Sequence, residues 1–294
     1  MNLIEIADVA DPRLDPYRDL KSEDVRRRGE LFIAEGRLVV QRLLQSRYQT
    51  VSVLAEAKRL DWVRDLVRPE TPVLVVPPTL IREVSGFNFH RGLLACGRRE
   101  PFLPAETLLP PGDHSQSGEV DAGEGRGWRP GDFVPDPSRI ALAAISLNDQ
   151  ENLGSLIRTS AAFGIETFVV NRQTVDPLCR RVLRVSMGTA LRMRFIDLDD
   201  TLGWLIENER RGGWFTIATT LAKGAIPLSH VTRHPAYASR PKLLLMGNEG
   251  DGLPADVVSA CSAAAVIPMA VGVDSLNVSV AGAIAIYELV RSGT

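Results

Sequence analysis

Short apolar runs bounded by Gly, Pro or polar clusters recur along the chain, and they change character twice. In the first third, TVSVLAEA, PVLVVPP and GLLACG read as buried strands, with LDWVRDLV and the stretch from Thr79 to Val84 as helices between them. LKSEDVRRRGELFIAEGRLVVQRLLQS is expected to give two helices, the second with Leu38, Val39, Leu43 and Leu44 along one stripe. This alternation predicts a small three-layer α/β domain. From residue 138 the pattern restarts. IALAAISL, IETFVV, WFTIATT, KLLLMG and AAAVIPM read as strands. SLIRTSAAFG has helical spacing and stops at Gly164, a C-cap. SLNVSVAGAIAIYELVRS is a long final helix. Strands apolar on both faces and separated by turns and helices point to a parallel sheet.

Between these regions the hydrophobic period disappears. PPGDHSQSGEVDAGEGRGWRPGDFVPDP is rich in Gly, Pro, Ser and acids, and too poor in apolar area to offset the entropy of ordering it. The chain is therefore read as residues 1–103, an N-terminal α/β domain; 104–137, a linker or insert with Trp128 and Phe133 as docking points; and 138–294, a second α/β domain. Its 294 residues suit two domains.

Charge sharpens the division. Residues 1–100 hold 17 Lys and Arg against 15 Asp and Glu, residues 104–137 hold 2 against 7, and residues 138–294 hold 15 against 14. The acidity sits in the insert, and the flanking regions permit an anionic partner without demanding one. Cys96, Cys179 and Cys261 form no metal-spaced pair, and His90, His114, His230 and His234 form no ligand cluster, so no metal site is expected. No apolar run is long enough to span a bilayer, and MNLIEIADVADPRLD has acids where a secretory signal needs a basic flank. A cytoplasmic protein with reduced thiols is expected.

In an open parallel sheet, ligands sit at the carboxyl ends of the strands. Three loops fall there: NDQENLGSLIRT (148–159), GNEGDGLP (247–254) and IPMAVGVDSLNVS (267–279). Gly247, Gly250 and Gly252 allow close backbone approach, but their spacing is neither a dinucleotide fingerprint nor a phosphate loop, which argues against nicotinamide and nucleoside triphosphates. Singly, each polar residue has an ordinary explanation. Asn152, Ser275 and Asn277 could be helix caps, Glu249 a solvated turn residue, and Arg158 an arginine snorkelling out of its helix. If Arg158 is instead buried or half-buried among Leu156, Ile157, Ser160, Ala161 and Ala162, it needs an anionic partner.

Together, NLGSLIRTSAAFG, LLLMGNEGDGLP and IPMAVGVDSLNVSVAGAIAIYEL resemble, in order and spacing, the three signature motifs of the SpoU (TrmH-type) RNA ribose 2′-O-methyltransferases of the SPOUT superfamily. The resemblance covers about residues 140 to 294, and FIAEGRLVVQRLL is similar to the small RNA-binding domain, related to ribosomal-protein folds, that many members carry. It implies a parallel sheet whose C-terminal segment forms a deep trefoil knot. It also implies S-adenosylmethionine as methyl donor, a ribose of structured RNA as acceptor, ribosomal more than transfer RNA, and a homodimer with the active site at the subunit interface. The apolar face Val280, Ile284, Tyr287 and Val290 is the candidate for that interface, or else simply core.

By motif position, Asn152, Arg158, Glu249, Ser275 and Asn277 take the catalytic roles. Thr219, Met246, Gly247, Gly252, Ile267, Met269 and Leu276 hold the donor. Family proposals make the Arg a general base, which is physically awkward because guanidinium stays protonated. Arg158 is better read as holding RNA phosphate and stabilising developing alkoxide, with Glu249 and Asn152 orienting it and Ser275 and Asn277 around the reacting hydroxyl and the donor's carboxylate end. Arg180, Arg181 and Arg184, and Arg26 to Arg28, are expected phosphate contacts or inert surface charge. The competing readings are an RNA-binding or ribosome-assembly factor that has lost catalysis, disfavoured by the five intact positions, and a Rossmann-type nucleotide enzyme, disfavoured by the missing fingerprint.

Overall fold

A computed structural model describes residues 1–18, 20, 29–86, 92–110, 140–273 and 275–292. The chain forms two units: Met1–Pro101 with Asp176–Arg192, and Phe102–Val175 with Met193–Thr294.

In the first unit the apolar runs become a five-stranded sheet. Its strands are β1 (Asn2–Glu5), β2 (Leu31–Glu35), β3 (Thr50–Ala55), β4 (Pro72–Val75) and β5 (Leu93–Arg98), in the order β1-β4-β3-β5-β2. β2 and β3 both run antiparallel to β5, and the other pairs are parallel. Helices α1 (Arg37–Leu44), α2 (Leu60–Arg64) and α3 (Pro78–Ser85) connect them. Ile33, Leu54, Leu74, Ile81 and Leu94 are in its core. LFIAE is a strand and not the end of a helix, and Gly36, at φ +85°, breaks the chain between β2 and α1. The buried stripe of α1 is Val39, Val40 and Leu43, while Leu38 is exposed. Arg26 to Arg28 and His90 lie outside the described residues.

The second unit is built on eight parallel strands in the order β11-β13-β10-β12-β7-β8-β9-β6. They are β6 (Leu103–Pro104), β7 (Ile140–Ala144), β8 (Thr167–Val170), β9 (Arg194–Asp197), β10 (Phe215–Thr219), β11 (Ile226–Pro227), β12 (Lys242–Met246) and β13 (Ala263–Val266). The central strands are buried on both faces, as their unbroken apolar runs require. The helices are α4 (Gln150–Ala162), α5 (Arg180–Val185), α6 (Thr201–Arg210), α7 (Leu228–Val231), α8 (Ala255–Ala260) and α9 (Val278–Ser292). Of these, α5 falls in the first unit. Gly164 caps the α4 turn at φ +76°, as its position predicts. On α9, Gly282 lets the helix approach α4: a Cβ there would come 2.2 Å from Leu156 Cδ2.

Two stretches differ from the linear division of the chain. Residues 104–110, expected in the insert, belong to the second unit. Leu108 is buried, and the carbonyls of Ala105 and Leu108 accept from the indoles of Trp204 (3.0 Å) and Trp214 (2.7 Å). Residues 111–137 of that insert, with His114, Trp128 and Phe133, lie outside the described residues. Asp176–Arg192, expected in the second domain, groups with the first unit through buried charge. Arg180 Nη1 donates to Glu35 Oε2 at 2.5 Å and Arg184 Nη1 to Glu35 Oε1 at 3.4 Å, with Glu35 almost fully buried. Arg99 pairs with Asp176, its Nη1 at 3.0 Å from Oδ1. A buried carboxylate stripped of its arginines is strongly destabilising. Arg180 and Arg184 are thus engaged by Glu35, contrary to the reading of them as free surface charge.

Candidate active site

The second unit opens a cavity of about 820 Å³ at the carboxyl ends of β10, β12 and β13, within the size range of small-molecule sites. Its walls come from the segments after those strands and from the start of α9. All seven expected donor-binding residues line it: Thr219, Met246, Gly247, Gly252, Ile267, Met269 and Leu276. The Thr219 hydroxyl is turned toward β12, donating to Leu245 O at 2.9 Å. The turn after β12 is closed by Asn248 N to Gly252 O (3.2 Å) and Gly252 N to Asn248 O (3.0 Å). That closure explains two glycines. A Cβ on Gly247 would sit 2.3 Å from the Gly252 carbonyl carbon, and Gly252 has φ +70°. The charged residues of the lining are Lys223, Glu249 and Asp251.

The five expected catalytic residues separate into three groups. Glu249 and Ser275 line the cavity. Asn152 and Asn277 stand beside it in one hydrogen-bonded chain: Asn277 Nδ2 donates to Asn152 Oδ1 at 2.9 Å, and Asn152 Nδ2 donates to Glu249 Oε1 at 2.9 Å. One residue from each signature loop meets there. Asn152 is not a helix cap. That position is Asp149, whose carboxylate accepts from Asn152 N at 2.7 Å. Asn277 does cap, accepting from Ser279 N at 2.9 Å and Val280 N at 3.3 Å.

Arg158 stands apart. It is exposed, does not line the cavity, and has no hydrogen-bond or ion-pair partner among the described residues. The half-buried arginine considered from sequence is not observed, because Leu153, Leu156, Ile157 and Ser160 occupy the inner face of α4. Six residues beyond Asn152, Arg158 lies about 9 Å further along the helix axis.

Val280, Ile284 and Tyr287 are 48%, 42% and 56% exposed, so this stripe of α9 is surface and not core. Val290 is half-buried. Phe163 extends the stripe from α4, its ring edge-on to Tyr287 at 6.3 Å.

Sequence reasoning passed over Asn248. Its Oδ1 accepts from Gly250 N (2.8 Å) and Asp251 N (3.3 Å), while Nδ2 donates to Ser146 O (2.9 Å). An Asn placed just after a strand and before Gly-x-Gly carried the signal, since its side chain mimics a backbone turn. Cys261, also on the wall, has its thiol pushed up to about 12 by burial, so it is not a nucleophile near neutrality. Among the described residues no His, Cys, Asp and Glu group could hold a metal ion, and no helix is long and apolar enough to cross a membrane.

A parallel α/β sheet with a cavity at the carboxyl ends of its strands, walled by glycine-bearing turns, defines a cofactor-binding α/β enzyme class. Comparison with known proteins narrows it. The model of the SpoU rRNA Methylase family matches residues 139–287. A Mycobacterium bovis protein described as an uncharacterized tRNA/rRNA methyltransferase is 33% identical, with 100% of this chain and 93% of the relative covered. The 23S rRNA (guanosine-2′-O-)-methyltransferase RlmB of Acinetobacter baylyi is 28% identical over 72% of this chain and 75% of its own length. In fold, the AdoMet-bound rRNA methyltransferase of Sinorhizobium meliloti superposes with a TM-score of 0.75 at 24% identity, covering 98% of each chain. The chain belongs to the SpoU rRNA methylase family of RNA methyltransferases.

Proposed function

We propose that this protein methylates a ribose 2′-hydroxyl of structured RNA, ribosomal in preference to transfer RNA, with S-adenosylmethionine as donor. The observation that carries the reading is the Asn277–Asn152–Glu249 chain, which joins all three signature loops beside a cavity of about 820 Å³. The cavity fits the donor chemically. Met246, Ile267 and Leu276 offer apolar surface to an adenine ring, and Gly247 and Gly252, bare of side chains, let it approach the backbone of the turn closely. Glu249 and Asp251 outnumber Lys223 on the lining, which suits a ligand of net positive charge. The RlmB relative's name supports the 2′-oxygen and ribosomal RNA. On this reading the C-terminal segment forms a deep trefoil knot, residues 1–103 bind RNA, and the protein works in the cytoplasm.

Bound, the donor supplies an electrophilic methyl group on sulfonium. The chain's own residues then have to align and charge-balance the acceptor. Fixed alignment is worth on the order of 7–11 kcal/mol in favourable cases. Asn152 and Glu249 brace each other and hold the loop after β12, and Ser275 faces the same space. Arg158 holds an RNA phosphate and steadies negative charge developing on the ribose oxygen. The proton passes to phosphate or solvent, because guanidinium cannot accept it. Arg158 meets its site in a homodimer formed through the exposed Val280, Ile284 and Tyr287 stripe.

The test is transfer of labelled methyl from S-adenosylmethionine to ribosomal and to transfer RNA, followed by alkaline hydrolysis. A 2′-O-methyl blocks cleavage at the labelled nucleotide. Label in a base, or labelled RNA that alkali still cuts at that position, refutes the reading. Arg158→Lys should lower turnover at every pH, and near-normal turnover would remove the role given to a fixed guanidinium.

A further inference from the structure

Three neighbouring strands, β12, β7 and β8, end in loops tied to one another by side chains outside the expected site. Asn171 directly follows β8 and is almost fully buried. Its Oδ1 accepts from Ser146 N at 2.9 Å and from Thr174 N at 3.1 Å, and its Nδ2 donates to Ser146 Oγ at 3.2 Å. Ser146, just past β7, is held at φ +58°, in the left-handed region that L side chains rarely adopt. In that conformation its carbonyl receives Asn248 Nδ2 at 2.9 Å. The other end of the Asn248 side chain organises the turn, through Gly250 N and Asp251 N, that carries Glu249.

We propose that Asn171 is a positioning residue for Glu249. It holds Ser146 in the left-handed conformation, Ser146 anchors Asn248, and Asn248 sets the turn that presents Glu249 to Asn152. The inference rests on the reading of Glu249 as part of the methyltransferase site. A left-handed non-glycine residue costs energy and persists only where its surroundings over-determine it, and Asn171 grips Ser146 by both amide and hydroxyl. The same Oδ1 also accepts the Thr174 hydroxyl at 2.7 Å, which fixes the Asn171 amide in the orientation that reaches Ser146.

The test uses Asn171→Ala, Ser146→Gly, their combination, and Asn248→Asp, each in the full chain. Asn248→Asp sets an acceptor against the Ser146 carbonyl while still accepting from Gly250 and Asp251, and at this half-buried position it should fold. Asn171→Ala should lower kcat about 10–100-fold, the scale of a small misplacement of catalytic groups, with KM for the donor nearly unchanged. In protein without donor, amide exchange at Gly250 to Gly252 should quicken in both Asn171→Ala and Asn248→Asp, because the turn opens locally. Ser146→Gly takes φ +58° without strain, so in the double variant it should restore most of the lost turnover. Unchanged kcat in Asn171→Ala, lost kcat with unchanged exchange, or no recovery in the double variant would overturn the proposal. If circular dichroism shows Asn171→Ala unfolded, Asn248→Asp decides by the same kcat and exchange readings. If the wild-type protein transfers no methyl group, the proposed function fails, and the exchange measurements still judge the loop linkage by themselves.

Discussion

Pairing an Arg158→Ala chain with a Glu249→Ala chain reports where Arg158 acts. In its own chain Arg158 is exposed, about 9 Å beyond Asn152 along α4 and turned roughly 120° around the helix, while Glu249 lines the cavity and contacts Asn152 directly. If the site is completed across a two-fold axis, Arg158 of one subunit serves the cavity of the other. Homodimers of either variant then contain only defective sites. Removing one charge-stabilising group typically costs about 10²–10³ in turnover. A heterodimer is different: one site has both alanines, and the other has both native residues. Two affinity tags on co-expressed chains isolate that heterodimer, and its turnover per dimer should be about half that of wild type. If Arg158 works at its own chain's cavity, each site of the heterodimer lacks one group and turnover stays at the level of the parents. Methyl incorporation into ribosomal RNA, with light scattering to confirm the dimer, reads the result. A heterodimer no more active than its parents, or a monomer with full activity, refutes the arrangement.

Gly282→Ala should destabilise in urea by about 1 kcal/mol, since about 1–3 kcal/mol of overpacking against Leu156 outweighs up to about 1 kcal/mol of helix propensity gained. On a Leu156→Ala background the same change should be neutral or stabilising, and additive effects would show that the helices do not meet at this point. Cys261 should resist iodoacetamide at pH 8 and react as the pH approaches 12, because burial holds its thiol near that value; rapid alkylation at pH 8 would contradict its place in the wall. Hydrogen bonding from Arg240 lowers the Glu209 pKa, so the stability it adds is full above the ordinary glutamate value of 4.5 and is lost as pH falls through the lower folded value. Thermal melts should therefore show a shallower acid loss of Tm in Glu209→Gln than in wild type, and parallel curves would deny the contribution.

The loops were legible because their chemistry is local to each strand end: an apolar run, then amides and glycines where the backbone must turn. The cavity after β10, β12 and β13 follows from those positions once the strands are parallel. Other features depend on partners far away in sequence. LFIAE is apolar at four successive positions, a pattern too short to separate strand from helix; only the antiparallel ladder with β5 and the turn at Gly36 decide it. Asp176–Arg192 looks like more of the second domain until Glu35 meets Arg180 and Arg99 meets Asp176, pairs 145 and 77 residues apart. Arg158 misleads in the opposite direction. Its small and apolar neighbours suggest a core helix, yet 3.6-residue geometry turns that one position outward.

Asn277 shows why structural and functional readings of a polar residue need not compete. Its Oδ1 is committed to the amides that open α9, which leaves only Nδ2 for a neighbour. Asn152 must therefore offer its own oxygen to Asn277, and its remaining NH₂ group turns to the Glu249 carboxylate, which can only accept while ionised. A helix cap at one end and a charge at the other thus fix the direction of every bond between them. Aspartate at position 152 would set two carboxylates face to face, and a glutamine at 249 could be satisfied only by its oxygen. The cap is what gives the chain its polarity, and the polarity is what holds Glu249 at the cavity.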